Sequence, residues 1–383
     1  MDIREIKKLS LEKATLTSPG CGSSMGSGLD KPPCCGPRIT VVGGKMDETV
    51  PGFLGWISTG TGKVPRVDSR LTFSDHLSAC KARWGIGRMN YLVPAGLYAI
   101  GTPTPEDPVV VTANYKMSYD IVRRALSGRN VWMLVLETFG VNVWCAAGKG
   151  TFGTDELVRR IAETGLAGVV SHRRLILPIL GATGVAAHEV AGRTGFSVSY
   201  GTIRAADLPE YLDNNMVTTP LMRELTFSLY ERLVLVPVEI IHALKSLILI
   251  GGIIFLAATL MEDSSAGFTA LFAYLGAVLT GLVIAPILLP WLPGRSFALK
   301  GALLGLIWGI CYYLTAGGKW SLSVTAASFL ALPAVSAFYT LNFTGCTNFT
   351  SRSGVKKEMR ISLPVMGGAL LVSALILVVE RFL

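Results

Sequence analysis

The chain has 383 residues, half of them hydrophobic, and its formal net charge is +9. The mean hydropathy of +0.49 is too high for an ordinary soluble protein, and the length allows a soluble domain beside a second unit. The positive charge does not indicate nucleic-acid binding, because basic and aromatic residues do not alternate in any recognition motif. Seven cysteines behind a polar N-terminus without a secretory signal predict reduced thiols rather than a disulfide framework.

Residues 1–45 are predicted to be a flexible segment, because a Gly/Ser-rich stretch covers residues 18–28. Within it, Cys34 and Cys35 are adjacent and are flanked by prolines. Adjacent cysteines lack the two-residue spacing of a zinc or iron–sulfur site, and no second pair completes one. Since thiolates bind soft cations, the pair is a candidate for transferring a soft metal ion.

Residues 46–213 alternate short apolar runs with helical stretches. The predicted strands are 109–112, 131–136, 175–180 and 196–200, and the predicted helices are 118–126, 155–164, 185–193 and 205–212. This alternation predicts an α/β, Rossmann-like domain with a mainly parallel sheet. Thr154 is expected to be the N-cap of the helix over 155–164. Ligands of such sheets bind beyond the carboxyl ends of the strands.

Residues 142–150 follow the predicted strand 131–136 and place one cysteine, Cys145, among small residues. The low side-chain bulk would let a large flat cofactor lie against the backbone. A free cysteine is more often a buried core residue, and that alternative stays open here. A phosphate-binding Walker loop is excluded, because Val143 and Gly150 stand where its first glycine and its Ser or Thr would be.

Other turns at the carboxyl ends of the predicted strands are also candidates for the site. The predicted cofactor-binding residues in and beside them are Thr112, Asn114, Gly181, Gly184, His188 and Gly201. A glycine-rich turn is usually only a tight connection, which is the alternative for Gly181 and Gly184. His188 is a candidate for a structural role or for cofactor contact and not for zinc binding, because Gly192 stands where the second histidine of a His-Glu-x-x-His motif would be.

Residues 214–241 are charged and predict an amphipathic connector, and residues 242–383 predict an all-α transmembrane domain of five helices. Apolar runs close to the roughly 20 residues of a bilayer-spanning helix lie at 242–261, 268–291, 296–316, 321–341 and 362–381. Basic residues occur in alternate loops, so the positive-inside rule puts the α/β domain in the cytoplasm and the C-terminus outside. The predicted location is therefore the cytoplasmic membrane, with lipid as a partner.

The octapeptide from Asn142 to Lys149, Asn-Val-Trp-Cys-Ala-Ala-Gly-Lys, resembles the cap-helix motif Asn-(Val/Ile)-Trp-Cys-Ala-(Ala/Gly)-Gly-Lys of the HgcA family. That family consists of membrane corrinoid proteins of microbial mercury methylation. The flanking residues 83–91, 112–116 and 150–156 are similar to the corrinoid domain of the corrinoid iron–sulfur protein large subunit. The five predicted spans match the membrane tail expected of the HgcA family.

The resemblance implies a base-off corrinoid with Cys145 as the catalytic residue and the lower ligand of cobalt. It implies a cofactor-binding cap made of Asn142, Val143, Trp144, Cys145, Ala146, Ala147, Gly148, Lys149 and Gly150. The implied activity is a methyltransferase that passes a cobalt-bound methyl group to Hg(II), with a methyl-folate system as donor and a ferredoxin-like partner resembling HgcB. Cys34 and Cys35 would assist Hg(II) transfer, and Asn142 or Trp144 would tune the sulfur by a hydrogen bond.

Two other functions stay open. A membrane-anchored methyl carrier of the acetyl-CoA-pathway type would use the same domain, although that family is soluble and has a four-cysteine cluster domain whose spacing is missing here. A corrinoid-binding module without catalysis would also use the same residues. No nucleic-acid partner is expected.

Overall fold

The structure is a computed structural model that describes residues 50–343 and 352–382. An α/β domain extends from residue 50 to the turn Leu221–Arg223, and long helices follow it. Cys34 and Cys35 lie outside the described residues, and the prediction made for them stays a prediction.

A single seven-stranded sheet forms the α/β domain, in the order β1-β2-β3-β5-β4-β6-β7. The strands are β1 (Phe53–Thr59), β2 (Gly62–Val67), β3 (Gly96–Ile100), β4 (Val109–Ala113), β5 (Val131–Leu136), β6 (Arg174–Leu177) and β7 (Ser197–Tyr200). Strands β4 to β7 are parallel, as predicted. The sheet as a whole is mixed, because β3 is antiparallel to β5 and β1 is antiparallel to β2.

The helices of this domain lie on both faces of the sheet. They are α1 (Phe73–Arg83), α2 (Lys116–Ala125), α3 (Val143–Lys149), α4 (Thr154–Glu163), α5 (Leu166–Val169), α6 (Ala187–Thr194) and α7 (Leu208–Asp213). The expectation that Thr154 is an N-cap is wrong. Gly153 is the N-cap of α4, and the Thr154 hydroxyl accepts a hydrogen bond from the backbone N–H of Ala186 instead.

Strands β3, β4 and β5 are fully buried, which explains their continuous apolar sequences. One face of the sheet packs against α3, α4 and α6, through side chains that include Ala146, Leu157 and Val190. The other face packs against α2 and α7, through side chains that include Tyr119 and Tyr211. Helix α3, which carries the cysteine, is therefore anchored in the main core of the domain.

Four buried charged side chains join α1 to α2. The Lys116 ammonium lies 2.7 Å from the Asp75 carboxylate and 2.6 Å from that of Asp120. The Arg123 guanidinium lies 2.8 Å from each of the same two carboxylates. Each cation thus has two counter-charges, and α1 is held in one orientation on the domain.

The network should make stability depend on pH through Asp75. Burial opposes its ionisation, but hydrogen bonds from Lys116 and Thr72 and the charge of Arg123 hold its pKa well below the ordinary value of 3.8. A folded-state pKa below the unfolded one stabilises the fold above about pH 4, and this contribution is lost as the pH falls further.

We expect Asp75→Asn to lower the free energy of unfolding by about 3–5 kcal/mol at pH 7, because buried cations lose a counter-charge. Urea unfolding at a series of pH values would measure this difference. The wild type should lose more stability than the variant as the solution is acidified below pH 4. A difference between the two proteins that stays constant with pH would contradict the role given to Asp75.

Five helices of the described residues are long and apolar enough to cross a membrane, the number predicted. They are α8 (Leu229–Met261), α9 (Ser264–Leu288), α10 (Phe297–Ala316), α11 (Leu322–Asn342) and α12 (Arg352–Phe382). Helix α9 includes a π-helical segment over Thr280–Ile284. Helix α8 begins at Leu229, so the second half of the predicted connector 214–241 belongs to the first long helix.

Candidate functional site

The carboxyl ends of the parallel strands meet at one edge of the sheet, and α3 lies at this edge as a short cap helix. Asn142 is its N-cap, and its Oδ1 accepts a hydrogen bond of 2.9 Å from the backbone N–H of Cys145. Gly150 ends the helix in the left-handed conformation, with φ of 81°. The cap helix therefore coincides with the octapeptide that carries the sequence resemblance.

The cap helix has a buried face and an exposed face. Ala146 and Ala147 are buried in the core, whereas Trp144, Cys145 and Lys149 are exposed. Cys145 is a free thiol. The alternative that Cys145 is a buried core cysteine is therefore wrong.

A cavity of about 280 Å³ lies beside the N-terminal end of the cap helix. The residues that line it include Thr112, Asn142, Val143, Trp144, Pro178, Leu180, Thr202 and Ile203. Of the residues predicted outside the cap, Thr112 is the one that faces this cavity. Thr202, which was not among the predicted cofactor-binding residues, is buried, and its hydroxyl donates to the carbonyl of Arg204.

Asn114 holds the turn that leads into the cap helix. Its Oδ1 accepts hydrogen bonds from the N–H and the hydroxyl of Thr138, at 3.0 and 2.9 Å, and from the N–H of Gly140 at 3.2 Å. The turn includes Phe139 with φ of 55°, a conformation that is strained for an aromatic residue. Asn114 was predicted as a cofactor contact, but its side-chain oxygen is used within the protein, so it acts as a positioning residue.

Two carboxylates that were not among the predicted site residues support the same turn. Glu137 accepts hydrogen bonds from Asn114 at 2.6 Å and from the N–H of Phe139 at 2.8 Å. Burial raises the pKa of Glu137, although these two hydrogen bonds oppose the shift. Glu156 of α4 accepts the N–H of Glu137 at 2.8 Å and pairs with Arg160. The sequence feature that could have indicated Glu137 is its position as an acidic residue directly after a buried strand.

Three predicted glycines are explained by close packing. A Cβ atom on Gly184 would lie 2.1 Å from the carbonyl oxygen of Phe152, and one on Gly181 would lie 2.6 Å from the ring of Phe152. A Cβ atom on Gly201 would lie 3.1 Å from Ile176. The structure thus favours the tight-connection alternative, in which these turns support the chain behind the cap helix.

The predicted histidine, His188, lies apart from this site. His188 is exposed on α6 and is not among the residues that line the cavity. Among residues 50–343 and 352–382, no group of three or more His, Cys, Asp or Glu residues is arranged to hold a metal ion. Cys145 can therefore offer one ligand to a metal whose other ligands come from a bound molecule.

The model of a protein family described as "CO dehydrogenase/acetyl-CoA synthase delta subunit" matches residues 88–212. This range extends from the turn before β3 into α7 and contains the whole candidate site. Over this range the α/β domain is similar to this family. The relation predicted from the residues that flank the cap is thereby confirmed, whereas membership of the HgcA family stays a prediction.

Curated relatives agree with this assignment. The acetyl-CoA decarbonylase/synthase complex subunit gamma of Methanocaldococcus jannaschii is 34% identical over 125 residues, which are 32% of this chain and 25% of the relative. The subunit gamma of Methanopyrus kandleri is 34% identical over 123 residues, which are 32% of this chain and 26% of the relative. The chain thus spans about a quarter of the length of the relatives it matches.

Proposed function

We propose that this protein is a membrane-anchored corrinoid protein that receives a methyl group and passes it on. The observation that carries the proposal is the exposed free thiol of Cys145, on a short helix that caps the carboxyl edge of the sheet. The relation of the surrounding domain to acetyl-CoA synthase subunits supports it. The basic loops support a cytoplasmic α/β domain, an external C-terminus and a cytoplasmic-membrane location.

The residues of the cap fit such a cofactor. The exposed face presents the Cys145 thiol beside Gly148, and a Cβ atom on Gly148 would meet nothing within 4 Å. The neighbouring cavity of about 280 Å³ is too small for a corrin ring and suits an appended side chain. The exposed residues Trp144, Cys145 and Lys149 would therefore hold the ring, and the cavity would accept a side arm.

A bound corrinoid would supply a cobalt atom that accepts, holds and releases the methyl group. Cys145 would offer a thiolate, a soft and electron-donating ligand, and binding to a metal cation would favour loss of the thiol proton. With Cys145 as a ligand of the metal, the cofactor's own base would not bind there, which is the base-off state. Asn142 would fix the position of the sulfur by capping the helix at the N–H of Cys145.

Two methyl acceptors are compatible with this site. The comparisons favour a methyl carrier of the acetyl-CoA-pathway type over methylation of Hg(II), because the relatives are subunits of acetyl-CoA decarbonylase/synthase complexes. The partners would then be other subunits of such a complex.

Methylation of Hg(II) is the second candidate. The octapeptide 142–149 and the five long helices favour it, because both are expected of the HgcA family. The partners would then be a ferredoxin-like protein resembling HgcB, Hg(II) and a methyl-folate donor, with Cys34 and Cys35 assisting metal transfer. Lipid surrounds the five helices in either case.

A parallel acceptor assay tests the proposal. The full chain, purified without oxygen and carrying a methylated corrinoid, would be given either Hg(II) or an acetyl-CoA synthase with CO and coenzyme A. Loss of methyl from the cofactor would be followed by visible spectra, and methylmercury or acetyl-CoA would be quantified. Transfer to one acceptor identifies the function. Retention of methyl with both acceptors would contradict methyl transfer and support a binding module.

A further inference from the structure

The outer face of α1 is apolar, although the inner face already anchors the helix. Asp75 and Ala82 are buried on the inner face. Phe73, Leu77 and Trp84 recur at helical spacing on the opposite face and are 82%, 42% and 43% exposed. The ion network that joins α1 to α2 fixes the helix with this apolar face turned away from the α/β domain. An exposed apolar patch of this kind indicates an interaction surface.

The loop that follows α1 touches the first long helix. A Cβ atom on Gly85 would lie 3.1 Å from Cγ2 of Ile241 in α8. Arg88 lies close enough to Glu239 of α8 for their charges to interact. Ile86, next to this contact, is 63% exposed. The apolar face of α1 is therefore continuous with a helix that is suited to cross a membrane.

The contact with Ile241 lies close to one end of the bundle of long helices. Ala243, half a turn from Ile241, packs in a cluster with Tyr339 of α11. The next residue of α11, Thr340, is closely approached by Gly301 of α10. Since α10 begins at Phe297, this level is about one turn from the end of the apolar bundle. The loop after α1 thus lies near the boundary between headgroups and hydrocarbon.

We propose that the outer face of α1 and the loop 84–86 dock on the surface of the lipid bilayer. Trp84 would lie where tryptophan is enriched in membrane proteins, and the neighbouring exposed residue Lys81 would face anionic headgroups. The bilayer is the occupant, because the apolar face leads directly to a membrane-spanning helix at the depth of its hydrocarbon boundary.

Docking at this position would orient the candidate site as well as attach the domain. The chain that follows the docking loop is bonded to the carboxyl edge of the sheet. The N–H of Val93 donates to the carbonyl of Asn114, and the N–H of Lys116 donates to the carbonyl of Tyr91. The lipid contact and the turn that supports the cap helix are therefore linked through a few residues, independently of which cofactor or acceptor the site takes.

Quenching of tryptophan by brominated lipid tests the proposal. The full chain would be reconstituted into phosphatidylcholine–phosphatidylglycerol vesicles with or without bromine at a shallow acyl position. Bromine quenches tryptophan fluorescence only at close range. We therefore expect the part of the emission that brominated lipid quenches to be smaller in Trp84→Phe than in the wild type. The matched control is Trp56→Phe on β1, where the side chain is 39% exposed, and it should remove only unquenched emission.

Phenylalanine keeps both positions apolar, and circular dichroism would confirm that both variants fold. Equal quenchable emission in the wild type and Trp84→Phe would overturn the proposal. Ile86→Glu provides a second measurement, since a charge beside Trp84 should lower its quenching. If Trp84 were not quenched by bromine but became less exposed as the protein density in the vesicles rose, a second copy of the chain would cover the face. That result would equally overturn lipid docking.

Discussion

Cys145→Ala should abolish methyl transfer and leave the α/β domain folded. The side chain is exposed, so its loss changes stability by no more than about 0.5 kcal/mol. Alanine is the best helix former, and the hydrogen bond from the N–H of residue 145 to Asn142 involves only the backbone at position 145. Transfer would be measured per mole of bound corrinoid, and the visible spectrum should lose its sulfur-ligated features even where corrinoid remains bound.

Cys80→Ala is the matched control, because Cys80 is another exposed free cysteine of the same domain. It should transfer methyl at the wild-type rate. Asn142→Ala should give an intermediate result, since loss of a helix N-cap costs about 1 kcal/mol and loss of a supporting contact at a metal site typically costs about 10- to 100-fold. Equal rates per corrinoid in Cys145→Ala and the wild type would refute the role of the thiol in methyl transfer.

The centre of the sheet could be predicted because burial on both faces requires a continuous apolar sequence. The predicted strand 131–136 has the bounds of β5, and the prediction for β4 differs at a single residue. Strand direction could not be predicted in the same way. Strand β3 was not predicted, although it is equally buried, and it is antiparallel to β5 and parallel to β2.

The first long helix shows a second limit of the sequence. Glu231 and Arg232 gave the region the charged character of a connector. In the structure, Glu231 takes part in the capping box of α8 with Ser228. Arg232 is buried and donates to the backbone carbonyls of Pro286 and Ile287 in α9. A charge that is satisfied by a helix some fifty residues away cannot be recognised from local composition.

The sequence indicated where the candidate site lies, but not which of its residues are exposed. The octapeptide located the cap helix, and the prediction that Thr112 lines the site agrees with the cavity. The exposure of Cys145 could not be derived, because free cysteines are usually buried. Asn114, Gly181 and Gly184 were predicted as cofactor contacts, and their hydrogen bonds and close packing favour a supporting role, which local sequence does not distinguish from contact with a ligand.

Gly184→Ala should displace the cap helix and lower both stability and corrinoid content. The added Cβ atom would lie 2.1 Å from the carbonyl oxygen of Phe152 and 3.0 Å from Cα of Ala147, and both neighbours are backbone atoms that cannot rotate away. Overpacking of this kind costs about 1–3 kcal/mol. Because Ala147 belongs to the cap helix itself, part of the strain should move α3 relative to the sheet, and urea unfolding and cobalt analysis would measure the two effects.

Gly192→Ala is the control, because a Cβ atom there would meet nothing within 4 Å in helix α6. Alanine at this position should leave corrinoid content unchanged and stabilise the fold by up to about 1 kcal/mol, since glycine is a poor helix former. Comparison of Gly184→Ala with Gly192→Ala separates the effect of a clash with the cap helix from the general effect of replacing glycine by alanine. If Gly184→Ala matched the wild type in both stability and cobalt content, the turn after β6 would not be what holds the cap helix in place.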